Sequence, residues 1–101
     1  MRPFYHPRCE DISLVSLLYA LGDPVRLKIV RRLAETGELT CSDLDCAVAK
    51  STMSHHFKIL RESGLVLTRK EGTQHINTLR RADIDRLYPD LLAVVLRHSS
   101  H

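Results

Sequence analysis

Residues 50–58 read Lys-Ser-Thr-Met-Ser-His-His-Phe-Lys and carry no acidic side chain. On a helix, Met53, Phe57 and Leu60 fall at i, i+4 and i+7, an apolar stripe that belongs in a core. The opposite face presents Lys50, Ser51, Thr52, Ser54, His55, His56 and Lys58, with Arg61 one turn further on. Hydroxyls and imidazoles donate and accept hydrogen bonds, and amines carry positive charge. That combination suits a polyanion whose edges can be read by short side chains. B-form DNA is such a partner, because its major groove is about 12 Å wide and admits one helix. A helix N-terminus adds its own attraction for phosphate. The adjacent pair His55 and His56 also raises the question of a metal. Neighbouring helical residues project about 100° apart, and helical zinc ligands use i, i+3 or i, i+4 spacing, so this pair is a poor chelate.

Those side chains need elements to position them. Ser51 is expected to cap a helix running to Ser63, with Gly64 as its stop. Upstream, "GDPVRLKIVRRLAETG" predicts a helix with Asp23 as N-cap, Pro24 at its first position and Gly37 as its end. Val25, Ile29, Val30 and Leu33 are expected to face inward, and Arg26, Lys28, Arg31 and Arg32 outward. An earlier helix is expected from about Asp11 to Leu21. A short one, introduced by Thr40, is expected from Cys41 to Val48. Downstream, "LVLTRKEGTQHINTL" reads as two strands joined around Glu71-Gly72, a hairpin. Its tip holds Arg69, Lys70, Thr73, Gln74 and His75, placed to reach a minor groove or the DNA backbone. "RADIDRLYPDLLAVVLRH" returns to helix, started or kinked at Pro89. Residues 1–10, with Pro3 and Pro7, read as an extended arm ahead of a single domain over 11–101.

A short helix, a tight connection, a polar-faced helix and a hairpin make a winged helix-turn-helix, mainly α with one β-hairpin. Charge agrees with it. Residues 50–81 hold seven basic and two acidic side chains, a net +5, whereas the whole 101-residue chain is +3. That asymmetry is the footprint of a nucleic-acid binder. A winged-helix module that binds only proteins would show an acidic or apolar outer face instead. No Gly-rich phosphate loop, nucleophile elbow or paired-carboxylate cleft points to an enzyme. No apolar run approaches membrane-spanning length. Cys9, Cys41 and Cys46 are an odd number and fit no disulfide framework, so a reducing cytoplasm is expected. Cys41 and Cys46 leave thiol sensing open as a mode of control.

"ALGDPVRLKIVRRLAETGELTCSDL", "KSTMSHHFKILRESGLV" and "RKEGTQHINTLRRADID", in this order, resemble the ArsR/SmtB family of bacterial winged-helix repressors. The resemblance spans about residues 11–98. It implies a recognition helix over 51–63 and a wing over about 66–79. It also implies a homodimer, paired through its first and last helices, that binds an inverted-repeat operator and represses until released. Ile12, Val15, Leu18, Leu91, Leu92 and Val95 are the dimer-interface residues this implies. Metal sensors of the family use a cysteine cluster whose positions fall here on Thr40, Ser42 and Asp45, so that site is not expected to form. A second family site would involve Asp85, His98 and His101, with Leu87 where a fourth ligand would stand. The expectation is that no cofactor is required. Zinc or nickel at that site, or control by a regulatory protein partner, are the alternatives.

Overall fold

The computed structural model describes residues 4–40 and 49–99. Among them are five α-helices: α1 (Leu14–Leu21), α2 (Pro24–Thr36), α3 (Lys50–Ser63), α4 (Arg81–Leu87) and α5 (Leu91–Arg97). Three strands, β1 (Glu38–Thr40), β2 (Val66–Glu71) and β3 (Gln74–Leu79), form an antiparallel sheet in the order β1-β3-β2. The architecture is a winged helix-turn-helix, as the sequence led one to expect.

Local chemistry explains most boundaries. The Asp23 carboxylate accepts from the backbone N–H of Val25 (2.9 Å) and Arg26 (3.1 Å), and Pro24 follows at the first helical position. α1 begins later than expected. Cys9–Asp11 form one 3-10 turn, Ile12 breaks it, and the Ser13 hydroxyl caps α1 by accepting from Ser16 N–H. Ser51 is not the cap of α3: the helix starts at Lys50, and Ala49 occupies the capping position without a side-chain acceptor. Gly64 ends α3 at φ 93°, and a Cβ there would sit 2.5 Å from Ile12 Cγ1. Only glycine fits both the backbone and the space. The last segment is two helices, broken at 88–90, where Asp90 takes φ 70°. Aspartate is one of the few residues that visit this state readily.

β1 was not anticipated. Leu39 alone of its three residues is buried, which is too short a signal for any periodicity. Thr40 therefore closes a strand, and the short helix expected over Cys41–Val48 lies outside the described residues. β1 pairs with β3 from Glu38↔Thr78 to Thr40↔Ile76.

The core gathers Leu17 and Ala20 of α1, Ile29, Val30 and Leu33 of α2, and Met53, Phe57 and Leu60 of α3. Leu65, Val66, Ile84 and Leu92 close it from the other side. A fully buried leucine contributes roughly 1.5–3 kcal/mol, so this cluster is the main source of stability. Ile12 (5% exposed) and Leu92 (0%) lie in the subunit's own core, which removes both from the expected dimer face. Val15 and Leu18 are exposed, and Leu91 and Val95 half-buried.

One polar residue holds the sheet from within. Asn77, on the central strand, is 1% exposed. Its Nδ2 donates to the Leu39 carbonyl of β1 (3.1 Å), and its Oδ1 accepts from the Thr68 hydroxyl of β2 (2.6 Å). Asn77→Ala should destabilise the fold by about 2–3 kcal/mol, because both partners are left buried and short of a bond. In a urea titration with a slope of about 1.5 kcal/mol/M, the midpoint should fall by roughly 1.5 M. A loss below about 0.5 kcal/mol would show the two bonds to be redundant.

Candidate nucleic-acid interface

α3 keeps its apolar stripe against the core and turns Lys50, Ser51, Thr52, Ser54, His55 and Lys58 to solvent. It occupies the recognition-helix position of the fold. Its first N–H groups face no side-chain acceptor at Ala49, which suits an approaching phosphate.

His56 departs from the expectation. It is 8% exposed and points inward, with Nδ1 3.3 Å from Arg26 Nη1 and 3.9 Å from Asp23 Oδ2. Arg26, expected to face outward, is 7% exposed. Its Nε donates to the Ala20 carbonyl (2.7 Å) and its Nη2 to the Tyr19 carbonyl (3.1 Å), and it lies over the Tyr19 ring at 5.3 Å. The cause is the C-terminus of α1, whose last carbonyls have no partner within the helix. A guanidinium with five donors reaches two of them and His56 as well. The signal was present in the spacing. Arg26 sits on the stripe with Ile29, Val30 and Leu33, and His56 on the stripe with Met53, Phe57 and Leu60.

The Asp23 carboxyl beside this pair is held below its ordinary range. Partial burial pulls it upward, but the N–H donors of Arg26 and Val25 and the nearby Arg26 and His56 outweigh that.

The wing is a tight hairpin. Glu71 pairs with Gln74 across Gly72-Thr73, and Gly72 takes φ 61°. Arg69, Lys70, Thr73, Gln74 and His75 are exposed as expected. Arg69 is also ion-paired, to Glu38 at 2.7 Å across β3 and to Glu71 at 2.8 Å. Its charge is balanced within the sheet by these two carboxylates. Arg61, in the last turn of α3, lies 4.3 Å above the Phe4 ring and is half-buried.

A helix-turn-helix domain family matches residues 21–69. The HTH-type transcriptional regulator YceK of Bacillus subtilis is 37% identical over 86 residues, which covers 82% of this chain and 86% of that protein. The arsenical resistance operon repressor of Staphylococcus xylosus is 38% identical over 81 residues, or 78% of this chain and 77% of the relative. The crystal structure of the transcriptional repressor BigR from Xylella fastidiosa matches with a TM-score of 0.63 at 34% identity, over 80% of this chain and 84% of that one.

This chain belongs to the ArsR/SmtB family of winged-helix transcriptional regulators. Its membership gives α3 and the β2–β3 hairpin their joint meaning as helix and wing of a DNA-binding domain. Asp85 is half-exposed and paired with Arg81 at 3.4 Å, and His98 caps the end of α5. His101, Cys41 and Cys46 lie outside the described residues. Among the described residues no three His, Cys, Asp or Glu side chains come together as a metal-holding group. Cys9 Sγ accepts from Arg86 Nη2 at 2.8 Å. No described helix is long and apolar enough to cross a membrane.

Proposed function

We propose that the protein is a homodimeric repressor that binds an inverted-repeat operator through α3 and the wing and acts in the cytoplasm. The observation that carries this reading is the outer face of α3: from Lys50 to Lys58 every solvent-facing side chain is a hydroxyl, an imidazole or an amine. The names of the S. xylosus and X. fastidiosa relatives, both repressors, support the direction of control. The apolar stripe left open on α1 supports pairing: Leu14, Val15, Leu18 and Tyr19 are 42–77% exposed. A monomer rarely leaves such a patch in water.

On this reading no bound cofactor is needed for DNA binding, because every contact group is a protein side chain or backbone N–H. The effector that releases the operator is then a separate function. Zinc, nickel, thiol oxidation and a protein partner are its alternatives.

Substitutions separate the roles. With a duplex selected by the wild type from a random-sequence pool, Ser54→Ala or His55→Ala should change which bases are preferred, at about 1–3 kcal/mol per position. Lys70→Ala should weaken all sequences alike and lower the salt dependence. EDTA should leave the wild-type affinity unchanged. Unaltered affinity and preference in all three variants would remove α3 and the wing from the interface.

A further inference from the structure

Residues 4–8 have no regular secondary structure, yet they touch α3, both wing strands and the start of α4. The Phe4 ring lies beneath the Arg61 guanidinium of α3 at 4.3 Å and meets the His75 ring of β3 edge-on, with centroids 4.8 Å apart and planes at 86°. His6 Nε2 accepts the backbone N–H of Thr68 at 3.0 Å. Thr68 is on β2, the edge strand, so this N–H points away from β3 and would otherwise need water. The Pro7 carbonyl accepts from Arg80 Nη1 at 2.7 Å. Arg80 is 9% exposed and is held by Asp83 at 3.0 Å.

We propose that residues 4–8 are a strap that fixes the wing against the recognition helix, with Phe4 and His6 as positioning residues for DNA binding. The proposal rests on the DNA-binding reading above.

The wing needs such a brace. Among the described residues β1 pairs with β3 as far as Ile76, and the β2–β3 pairs from Lys70↔His75 outward have no third described strand beside them. Two-stranded ribbons are marginal in water. Phe4 contacts His75, which neighbours Ile76, the last β3 residue paired with β1 among the described residues. A six-residue strand is about 20 Å long, so a tilt of roughly 10° at its base moves the tip by about 3 Å, the length of a hydrogen bond. A wing without the strap would lose its phosphate contacts through misplacement, with the fold intact.

The His6 bond also requires a neutral ring, since a protonated imidazole has no acceptor nitrogen. The charged groups facing it are Arg61 from α3 and Arg80 from the β3–α4 junction. Burial first, and then these two cations, hold His6 below the usual histidine range. The strap's contribution is therefore complete above the ordinary histidine value of 6.5 and declines as pH falls from there toward the lowered one.

The test is a coupling measurement by fluorescence anisotropy, with the full chain and a duplex selected by the wild type from a random pool. Phe4→Ala/His6→Ala should weaken binding about tenfold at pH 7.5. Lys70→Ala should cost the wild type about five- to tenfold, but less than about twofold in the strap variant, whose wing is already misplaced. His6→Gln, which can accept from Thr68 through Oε1, should restore near-wild-type affinity. It should also lose affinity less steeply than the wild type between pH 7.5 and 5.5. Thermal unfolding monitors the fold of each variant. Full Lys70 sensitivity in the strap variant, or unchanged affinity on removing Phe4 and His6, would overturn the proposal. Failure of the wild type to select any duplex would instead sink the DNA-binding reading. Hydrogen exchange at the Thr68 amide reads the strap without DNA: exchange no faster in His6→Ala than in the wild type would overturn it directly.

Discussion

Val15→Glu/Leu18→Glu will leave a folded monomer whose affinity for duplex DNA is at least about a hundredfold weaker than the wild type's. Val15 is 77% and Leu18 51% exposed in the single subunit, so neither holds its fold together. Exposed substitutions of this kind change subunit stability by roughly 0.5 kcal/mol or less. In the proposed two-fold dimer the same side chains would be buried, and each would appear twice. Losing a buried valine or leucine costs about 1.5–3 kcal/mol, and an unpaired carboxylate in its place costs more. The pair should thus weaken dimerisation by more than about 4 kcal/mol, or a thousandfold. On the proposed reading a monomer would reach one half-site and half of the phosphates, which is why DNA affinity is expected to fall. Sedimentation at micromolar concentration, with circular dichroism to confirm helix content, checks the claim. A variant that remains dimeric would place the interface elsewhere.

The second large effect is expected inside the subunit. Arg26→Ala should destabilise the protein by about 3 kcal/mol, since hydrogen bonds from a charged donor are worth roughly 1.5–3 kcal/mol each and a buried carbonyl left without a partner adds its own cost. Arg26 donates to Ala20 and Tyr19 and meets His56, so one side chain ties the end of α1 to the middle of α3. Arg26→Lys should recover only part of the loss, because a single ammonium lacks the planar fork that reaches three acceptors. Acid should act on the same cluster. Asp23 is depressed in the folded state, so its contribution is present above the ordinary carboxylate value of 3.8 and disappears as pH falls through the lowered one. The Asp23→Asn variant should show a shallower loss of stability below pH 4 than the wild type. Equal slopes would dissociate Asp23 from acid unfolding. Chemical denaturation of Arg26→Ala is the decisive measurement, and a loss under 1 kcal/mol would contradict the role given to this residue.

These residues also show what could be read from sequence. The caps of α2, the apolar stripe of α3 and the hairpin followed from local rules, because capping, helical periodicity and a Gly-containing turn act within a few residues. Arg26 and His56 were misplaced because residue type was weighed above position. Each occupies the apolar stripe of its helix, and the two stripes face one another, so each polar group is the other's partner. That relation joins residues thirty apart and appears only when the helices are packed. The ion pair of Arg69 was not legible for a different reason: its carboxylate partner Glu38 lies on a strand too short to predict. The arm gave no periodic signal at all. Its contacts are with residues more than fifty positions away, and chain-local patterns do not contain them.

The central claim is that two subunits present their α3 faces and wings to one duplex. On the proposed reading Lys50, Lys58 and Lys70, all exposed, would bring three amines per subunit to the phosphates, six in a dimer. The direct measurement is the affinity of the wild-type protein for a selected inverted-repeat duplex across a salt series, with stoichiometry determined at the lowest salt. The account predicts two subunits per duplex and a log–log salt slope of about −5, near 0.9 per phosphate neutralised. One subunit per duplex, or a slope between 0 and about −1, would contradict it.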